Sequence, residues 1–251
     1  MDYSVLTIFP EMFDAFWAHG IVRRAIESGK VSAGAVNVRD YAEGRHRVTD
    51  DRPYGGGCGM VMKPEPLAAA ICSAGEKSPD ALTVMMTPQG RTFDQAMAGE
   101  LARERGLILI CGRYEGVDER ICSDYVDLEI SIGDYVLTGG EVPAMAVIDA
   151  VTRLIPGVLG NEDSARLDSF AGDLLEHGHY TRPSMFNDER VPEVLLSGNH
   201  SAIEKWRKEG SLVRTFLKRP DLLKEKDLDK TELEILRKWR NDIEKIIRSK
   251  S

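Results

Sequence analysis

The sequence predicts an α/β fold built on a parallel sheet, and three observations carry the prediction. Through the first 160 residues, short apolar runs of strand length alternate with helical patterns. The run Leu107-Ile108-Leu109-Ile110-Cys111 is apolar at every position, as a strand buried on both faces requires. Glycine clusters follow several of these runs, where the backbone must turn sharply or approach a ligand closely.

Taken in order, residues 3–9 read as a buried strand that Pro10 ends, and 11–17 as a helix. A strand fits 35–39. Pro64 sits where the first turn of a helix over 64–72 accepts it. Residues 82–86 form a strand, 94–105 a helix, and 107–111 the strand already described, closed by Gly112. Another strand fits 126–130. Residues 141–154 make a largely apolar helix, closed by Pro156-Gly157. After Gly160 the pattern changes. Residues 161–172 are polar and aperiodic and read as a linker or mobile loop. From Asn199 helices return, and over 230–249 Leu233, Leu236, Trp239, Ile243, Ile246 and Ile247 share one helical face. The layout is an α/β domain over 1–160, a flexible linker or lid over 161–175, and a small C-terminal helical domain over 176–251.

The chain has 251 residues, enough for a sizeable core, with 42% hydrophobic and 29% charged residues. That balance excludes a disordered chain, a collagen and a coiled-coil rod. No apolar run approaches the roughly 18 residues of a membrane span, so no membrane partner is expected. Met1-Asp2-Tyr3-Ser4 has no basic segment and no cleavage site, which argues against a secretory signal. The four cysteines lack C-x-x-C spacing and read as reduced thiols, which places the expected protein in the cytoplasm. The net charge of −8 hides an asymmetry. Residues 176–251 hold 17 Lys+Arg against 14 Asp+Glu, a balance of +3, while the rest is strongly acidic. A mildly basic tail permits a polyanionic partner without requiring one.

Four glycine clusters stand out: Tyr54-Gly55-Gly56-Gly57-Cys58-Gly59-Met60, Pro88-Gln89-Gly90, Gly112-Arg113-Tyr114-Glu115-Gly116, and Ile132-Gly133-Asp134-Tyr135-Val136-Leu137-Thr138-Gly139-Gly140. One such cluster needs no more than a tight turn. Four together, three of them after strands, point to a pocket at the carboxyl edge of the sheet, where open α/β folds bind ligands. Backbone amides and carbonyls would line it, as a nucleoside requires. Neither G-x-G-x-x-G nor G-x-x-x-x-G-K-[ST] occurs, which disfavours the common dinucleotide and phosphate-loop sites.

Other groups are open to two readings. Asp163, Asp168 and Asp173, with Arg166 among them, are either solvated linker charges or part of a lid that supplies a base. Arg153, ending the helix before them, either faces the helix dipole or stabilises charge on a substrate oxygen. Cys58 and Cys111 read as buried small residues rather than nucleophiles. His177 and His179 could ligate a metal but more often hydrogen-bond locally. Arg45, His46, Arg47 and Arg52 are either a solvated loop or phosphate contacts.

The motifs together carry a resemblance. Tyr54-Gly55-Gly56-Gly57, Pro88-Gln89-Gly90-Arg91, Cys111-Gly112-Arg113-Tyr114-Glu115-Gly116-Val117-Asp118-Glu119-Arg120, Ser131-Ile132-Gly133-Asp134-Tyr135-Val136-Leu137-Thr138-Gly139-Gly140-Glu141, Pro156-Gly157-Val158-Leu159-Gly160, Asp168-Ser169-Phe170 and His179-Tyr180-Thr181-Arg182-Pro183 stand in order along the chain. In this the chain resembles the bacterial tRNA (guanine-N1)-methyltransferases of the knotted SPOUT class, over essentially its whole length. Cys58 and Thr87 depart from the family pattern, at the level of loop geometry.

The resemblance implies a SPOUT-type parallel sheet with a deep trefoil knot, in a homodimer. It implies S-adenosylmethionine bound by Pro88, Gly112, Tyr114, Ile132, Gly133, Asp134, Tyr135, Val136, Leu137, Gly139 and Gly140. The substrate implied is tRNA with guanine at 36 and 37, methylated at N1 of guanine 37. Asp168 matches the family's general base and Arg153 its O6-stabilising residue. Glu115 is the best matched carboxylate for Mg²⁺. The linker of one subunit would cover the pocket of the other, and the C-terminal helices would hold the tRNA. Three other readings stay open on the residues: a related methyltransferase acting on another RNA, a non-catalytic RNA-binding module, and a phosphate-handling nucleotide enzyme.

Overall fold

The structure, a computed structural model, describes residues 1–160 and 168–250. The chain divides into two compact units, Met1–Glu162 and Asp163–Ser251. In the first, β1 (Asp2–Thr7) leads through a 3-10 turn (Pro10–Phe13) into α1 (Asp14–Trp17) and α2 (Gly20–Glu27). β2 (Ser32–Asn37), β3 (Asp50–Asp51) and β4 (Val61–Met62) follow, then α3 (Pro64–Lys77), β5 (Ala81–Thr92), α4 (Gln95–Leu101) and β6 (Gly106–Cys111). α5 (Glu119–Tyr125), β7 (Leu128–Ser131) and α6 (Glu141–Thr152) complete the unit.

Five strands form one parallel sheet in the order β2-β1-β6-β5-β7. Side-chain alternation explains the apolar run of β6. Leu107, Leu109 and Cys111 enter one core with Val147, Ile148 and Val151 of α6 and Met97 and Leu101 of α4. Ile108 and Ile110 enter the other with Leu67, Ala70 and Ile71 of α3 and Ile121 of α5. A strand with helices on both faces has no solvent side, so polar alternation disappears.

Several boundaries differ from expectation, each for a local reason. The helix expected over 11–17 begins as a 3-10 turn at Pro10, with Phe13 buried and stacked on Trp17 at 5.4 Å. The strand expected over 35–39 ends at Asn37, whose side chain accepts from Arg39 N and starts a 3-10 turn. α3 runs on to Lys77 because Ala74 continues its buried face. α2 has no counterpart among the expected elements. Val22 and Ala25 are its buried residues, and Arg23 pairs with Glu27 one turn on, at 2.7 Å.

In the second unit, a short hairpin (β8, Met185–Phe186; β9, Glu189–Arg190) precedes α7 (Glu193–Leu196), α8 (His200–Lys218), α9 (Pro220–Glu225) and α10 (Lys230–Lys250). Asn199 caps α8 by accepting from Ala202 N. Asp229 and Glu232 form a reciprocal capping box at the start of α10, at 2.9 and 2.8 Å. α10 packs on α8, and Trp239 Nε1 donates to Glu209 of α8 at 3.3 Å. The expected apolar stripe of α10 is only half used. Leu233, Leu236 and Trp239 are half-buried, whereas Ile243 and Ile246 are exposed. No helix among the described residues is long and apolar enough to cross a membrane.

Candidate active site

The carboxyl edge of the sheet is shaped by a change of direction. From β5 the chain moves inward to β6. From β6 it passes back beyond β5 to β7. Such a reversal leaves a crevice beyond the strand ends. Three segments border it. The first lies inside β5, where Met86 and Arg91 both pair with Ile130, so residues 87–90 leave the sheet as a bulge. The return against β7 needs glycine: a Cβ on Gly90 would lie 2.4 Å from the Glu129 carbonyl carbon and from Ile130 N. The sequence pattern ends this strand at Met86 because Pro88 and Gly90 read as a turn.

The second segment follows β6 and the third follows β7, and they are bound to each other. Gly140 N donates to Gly112 O at 2.9 Å, and Arg113 bridges to Gly139. A Cβ on Gly140 would stand 2.7 Å from Cys111 Cα, so a side chain there would force the segments apart. Behind them lies a charge cluster. Glu141, fully buried at the start of α6, accepts from Thr7 Oγ1 at 2.7 Å and meets Arg113 Nη2 at 2.8 Å. That Arg–Glu contact is an ion pair at close range without a well-aligned hydrogen bond. The Arg113 guanidinium also lies over the Phe9 ring at 4.8 Å and donates to Thr138 O at 3.1 Å. One side chain therefore joins the segment after β1, the loop after β6 and the loop before α6.

The segments enclose a cavity of about 450 Å³, large enough for a nucleoside-sized ligand. Of the expected cofactor residues, Pro88, Gly112, Tyr114, Ile132, Gly133, Tyr135, Val136, Leu137, Gly139 and Gly140 line it. Asp134 is exposed and is not among its walls. Glu115 lines it together with Glu119 and Glu129, giving the lining negative charge. Thr87, Gln89, Arg113 and Thr138 also line it and were not among the expected residues. The Arg113–Glu141 pairing has no local sequence signal, because its partners meet only through the tertiary fold.

The other candidates fall elsewhere. Tyr54, Gly55, Gly56, Gly57 and Cys58 form an exposed loop and supply no wall of the cavity. The neighbouring Met60 O does accept from Glu115 N at 3.0 Å. Cys58 is exposed, against the expectation of burial, because its glycine-rich loop makes few contacts; Cys111 is buried. Burial pushes the Cys111 thiol well above its ordinary range, with the Glu141 charge adding to the effect, so it is no nucleophile. Arg153 is the half-buried C-cap of α6. Arg47 pairs with Asp40 at 2.6 Å, and Arg45, His46 and Arg52 are exposed.

Asp168 belongs to the second unit, in a folded turn: Ala171 N donates to Asp168 O and Phe170 N to Leu174 O. Glu176 N donates to Ser169 Oγ, and Leu175 N to Thr215 Oγ1 of α8. Asp163 and Arg166 lie outside the described residues. His177 and His179 stand with Glu176, their ligand atoms within 4.8 Å of one another. Local bonds already use them, His179 Nε2 at 2.8 Å from Glu176 and His177 Nδ1 at 3.0 Å from Gly178 O.

Comparison with known proteins shows the family of the chain. A family model described as tRNA (Guanine-1)-methyltransferase TrmD matches residues 1–225. Relatives that bear the name tRNA (guanine-N(1)-)-methyltransferase include the following three. That from Desulfatibacillum aliphaticivorans is 56% identical over 249 residues, covering 99% of this chain and 95% of its own. That from Geotalea uraniireducens (strain Rf4) is 56% identical over 236 residues, covering 94% and 96%. That from Listeria monocytogenes serotype 4a (strain HCC23) is 50% identical over 241 residues, covering 95% and 98%.

Proposed function

Since this chain belongs to the tRNA (guanine-1)-methyltransferase family, we propose that it methylates N1 of guanine 37 in tRNA, next to the anticodon and preceded by guanine 36. The observation that carries the reading is the cavity formed by the β5 bulge and the loops after β6 and β7. S-adenosylmethionine, when bound, supplies a methyl already activated on a sulfonium. The cavity's features suit that donor. Backbone donors and acceptors of glycine loops can read an adenosine edge, and Glu115, Glu119 and Glu129 offset a sulfonium charge. Pro88, Gly112, Tyr114, the segment 132–137, Gly139 and Gly140 are the proposed cofactor contacts. Asp134, exposed between the lining residues Gly133 and Tyr135, completes the segment.

The protein's own task is deprotonation and charge control. Guanine N1 carries a proton at neutral pH and is a poor nucleophile in that form. In the proposed mechanism the Asp168 carboxylate accepts that proton as N1 takes the methyl. Arg153 stabilises the negative charge that gathers on O6. The target base leaves its stack to reach the methyl group. Glu115 is the proposed contact for Mg²⁺. Among the described residues no group of three close metal-ligating side chains lies at the cavity. One carboxylate suits only an ion held otherwise by water and substrate, and no step is assigned to it.

The rest of the proposal concerns architecture. A trefoil knot in the domain 1–160 accords with the close association of the loops after β6 and β7. The linker 161–175 of one subunit would cover the partner's pocket in a homodimer, bringing Asp168 to it in trans. The domain 176–251 would hold the tRNA, with Arg45, Arg47 and Arg52 as further phosphate contacts. The reaction is assigned to the cytoplasm, a reading supported by four unpaired cysteines. The test is transfer of labelled methyl to unmodified transcripts with guanine 36–37, beside a control with adenine 37. Label on the first alone supports the reading; equal label on both overturns the assignment to position 37.

A further inference from the structure

The second unit holds its own open cavity of about 470 Å³, bordered by Gly178, Tyr180 and one face of α8. Two of its walls are aromatic. The Tyr180 and Trp206 rings lie 6.1 Å apart at 58°, and the His177 ring stands 6.0 Å from Trp206. Tyr180 is 54% exposed, far more than a ring placed for packing. Two cations stand on the same rim. Arg214 and Lys218 are exposed and make no ion pair with any described residue. Gly178 leaves room for Arg214, whose Nη2 would come within 3.1 Å of a Cβ there. The one anion on the rim, Glu209, is already engaged by Trp239 Nε1 at 3.3 Å and Lys238 Nζ at 3.9 Å.

Open aromatic faces beside unpaired cations are the elements of single-stranded nucleic-acid recognition: the rings stack a base and the cations meet its phosphates. The surrounding residues 176–251 are net positive. We propose that the Tyr180–Trp206 corner is a base-stacking subsite that holds one unpaired nucleotide of the RNA, with Arg214 and Lys218 on the adjoining phosphates. The subsite rests on the reading that the substrate is RNA. It adds affinity and orientation but touches no reacting atom.

The experiment measures binding of an unmodified tRNA transcript to the full chain by fluorescence anisotropy, without a methyl donor and across a salt series. Tyr180→Ala should weaken binding roughly 10-fold, the loss expected for one base–aromatic stack, while Tyr180→Phe stays near wild type. Lys218→Ala should lower the salt slope by about one, as the loss of one phosphate contact does. In methyl transfer, KM for tRNA should rise with kcat nearly unchanged. Affinity for S-adenosylmethionine should stay at the wild-type value, and a wild-type far-ultraviolet circular dichroism spectrum and melting profile show that the helical unit carrying the substitutions folds. Tyr180→Ala within twofold of wild type, or Tyr180→Phe as weak as Tyr180→Ala, overturns the subsite alone. A wild-type chain that binds no tRNA overturns the RNA reading beneath it.

Discussion

Glu141 is a carboxylate with no solvent exposure, and the loops around the proposed donor cavity depend on what satisfies it. Removing it strands the Arg113 guanidinium, whose side chain is only 16% exposed, and leaves Thr7 without its acceptor. Glu141→Ala should therefore cost about 3–5 kcal/mol of stability, read from the urea midpoint. Asp168 has a different signature. Asp168→Asn should leave S-adenosylmethionine affinity near wild type by calorimetry and lower kcat roughly 10²- to 10⁴-fold, the range of a lost general base. Wild-type turnover would remove Asp168 from the mechanism. Cysteine chemistry gives a third outcome. A thiol-specific disulfide reagent should modify exposed Cys58 and Cys72 in the folded protein and spare Cys111, whose thiol burial holds protonated. At this scale the sequence was only partly legible. Asp168 and Arg153 come from motif resemblance, whereas the Arg113–Glu141–Thr7 cluster joins residues that only the folded sheet brings together.

At the scale of elements, β6 could be read directly, because burial on both faces removes every polar position from the strand. β5 could not be read in full. Pro88 and Gly90 resemble a stop, yet the strand resumes after the bulge and pairs to Thr92. The bulge is what brings Thr87, Pro88 and Gln89 to the cavity, and Gly90 closes it by its close approach to the β7 backbone. Gly90→Ala places a methyl 2.4 Å from the β7 backbone and should cost about 1–3 kcal/mol, with weaker donor binding. A variant with wild-type melting and wild-type donor affinity would show that the bulge has slack. The first glycine cluster marks the opposite error. Its composition matches that of the cavity loops, but it flanks a two-residue strand pair and none of Gly55, Gly56 or Gly57 reaches the cavity. Glycine content alone does not say toward which ligand a turn is directed.

For the whole molecule, the proposal that two subunits share each site makes a prediction that no single variant can make. Leu137→Trp puts a much larger side chain into the lining of the donor cavity and obstructs it, and Asp168→Asn removes the base; each homodimer should be nearly inactive. In a mixed dimer, the subunit carrying Asp168→Asn retains an intact cavity, and its partner offers an intact Asp168. Co-expression should then restore a substantial fraction of wild-type kcat. No recovery in a purified mixed dimer would place Asp168 on the cavity of its own subunit. The chain clusters into two compact units, Met1–Glu162 and Asp163–Ser251, while the sequence changes its hydrophobic period near residue 160. Chain threading has no such trace, since a knot alters connectivity in space and leaves residue periodicity unchanged.

The measurement closest to the central claim is the identity of the methylated atom. Wild-type protein, S-adenosylmethionine and a transcript with guanine at 36 and 37 would be incubated, and the RNA digested to nucleosides and sequenced fragments for mass spectrometry. The account predicts 1-methylguanosine, confined to position 37. Methyl groups on another atom of guanine, or on another nucleoside, would contradict it.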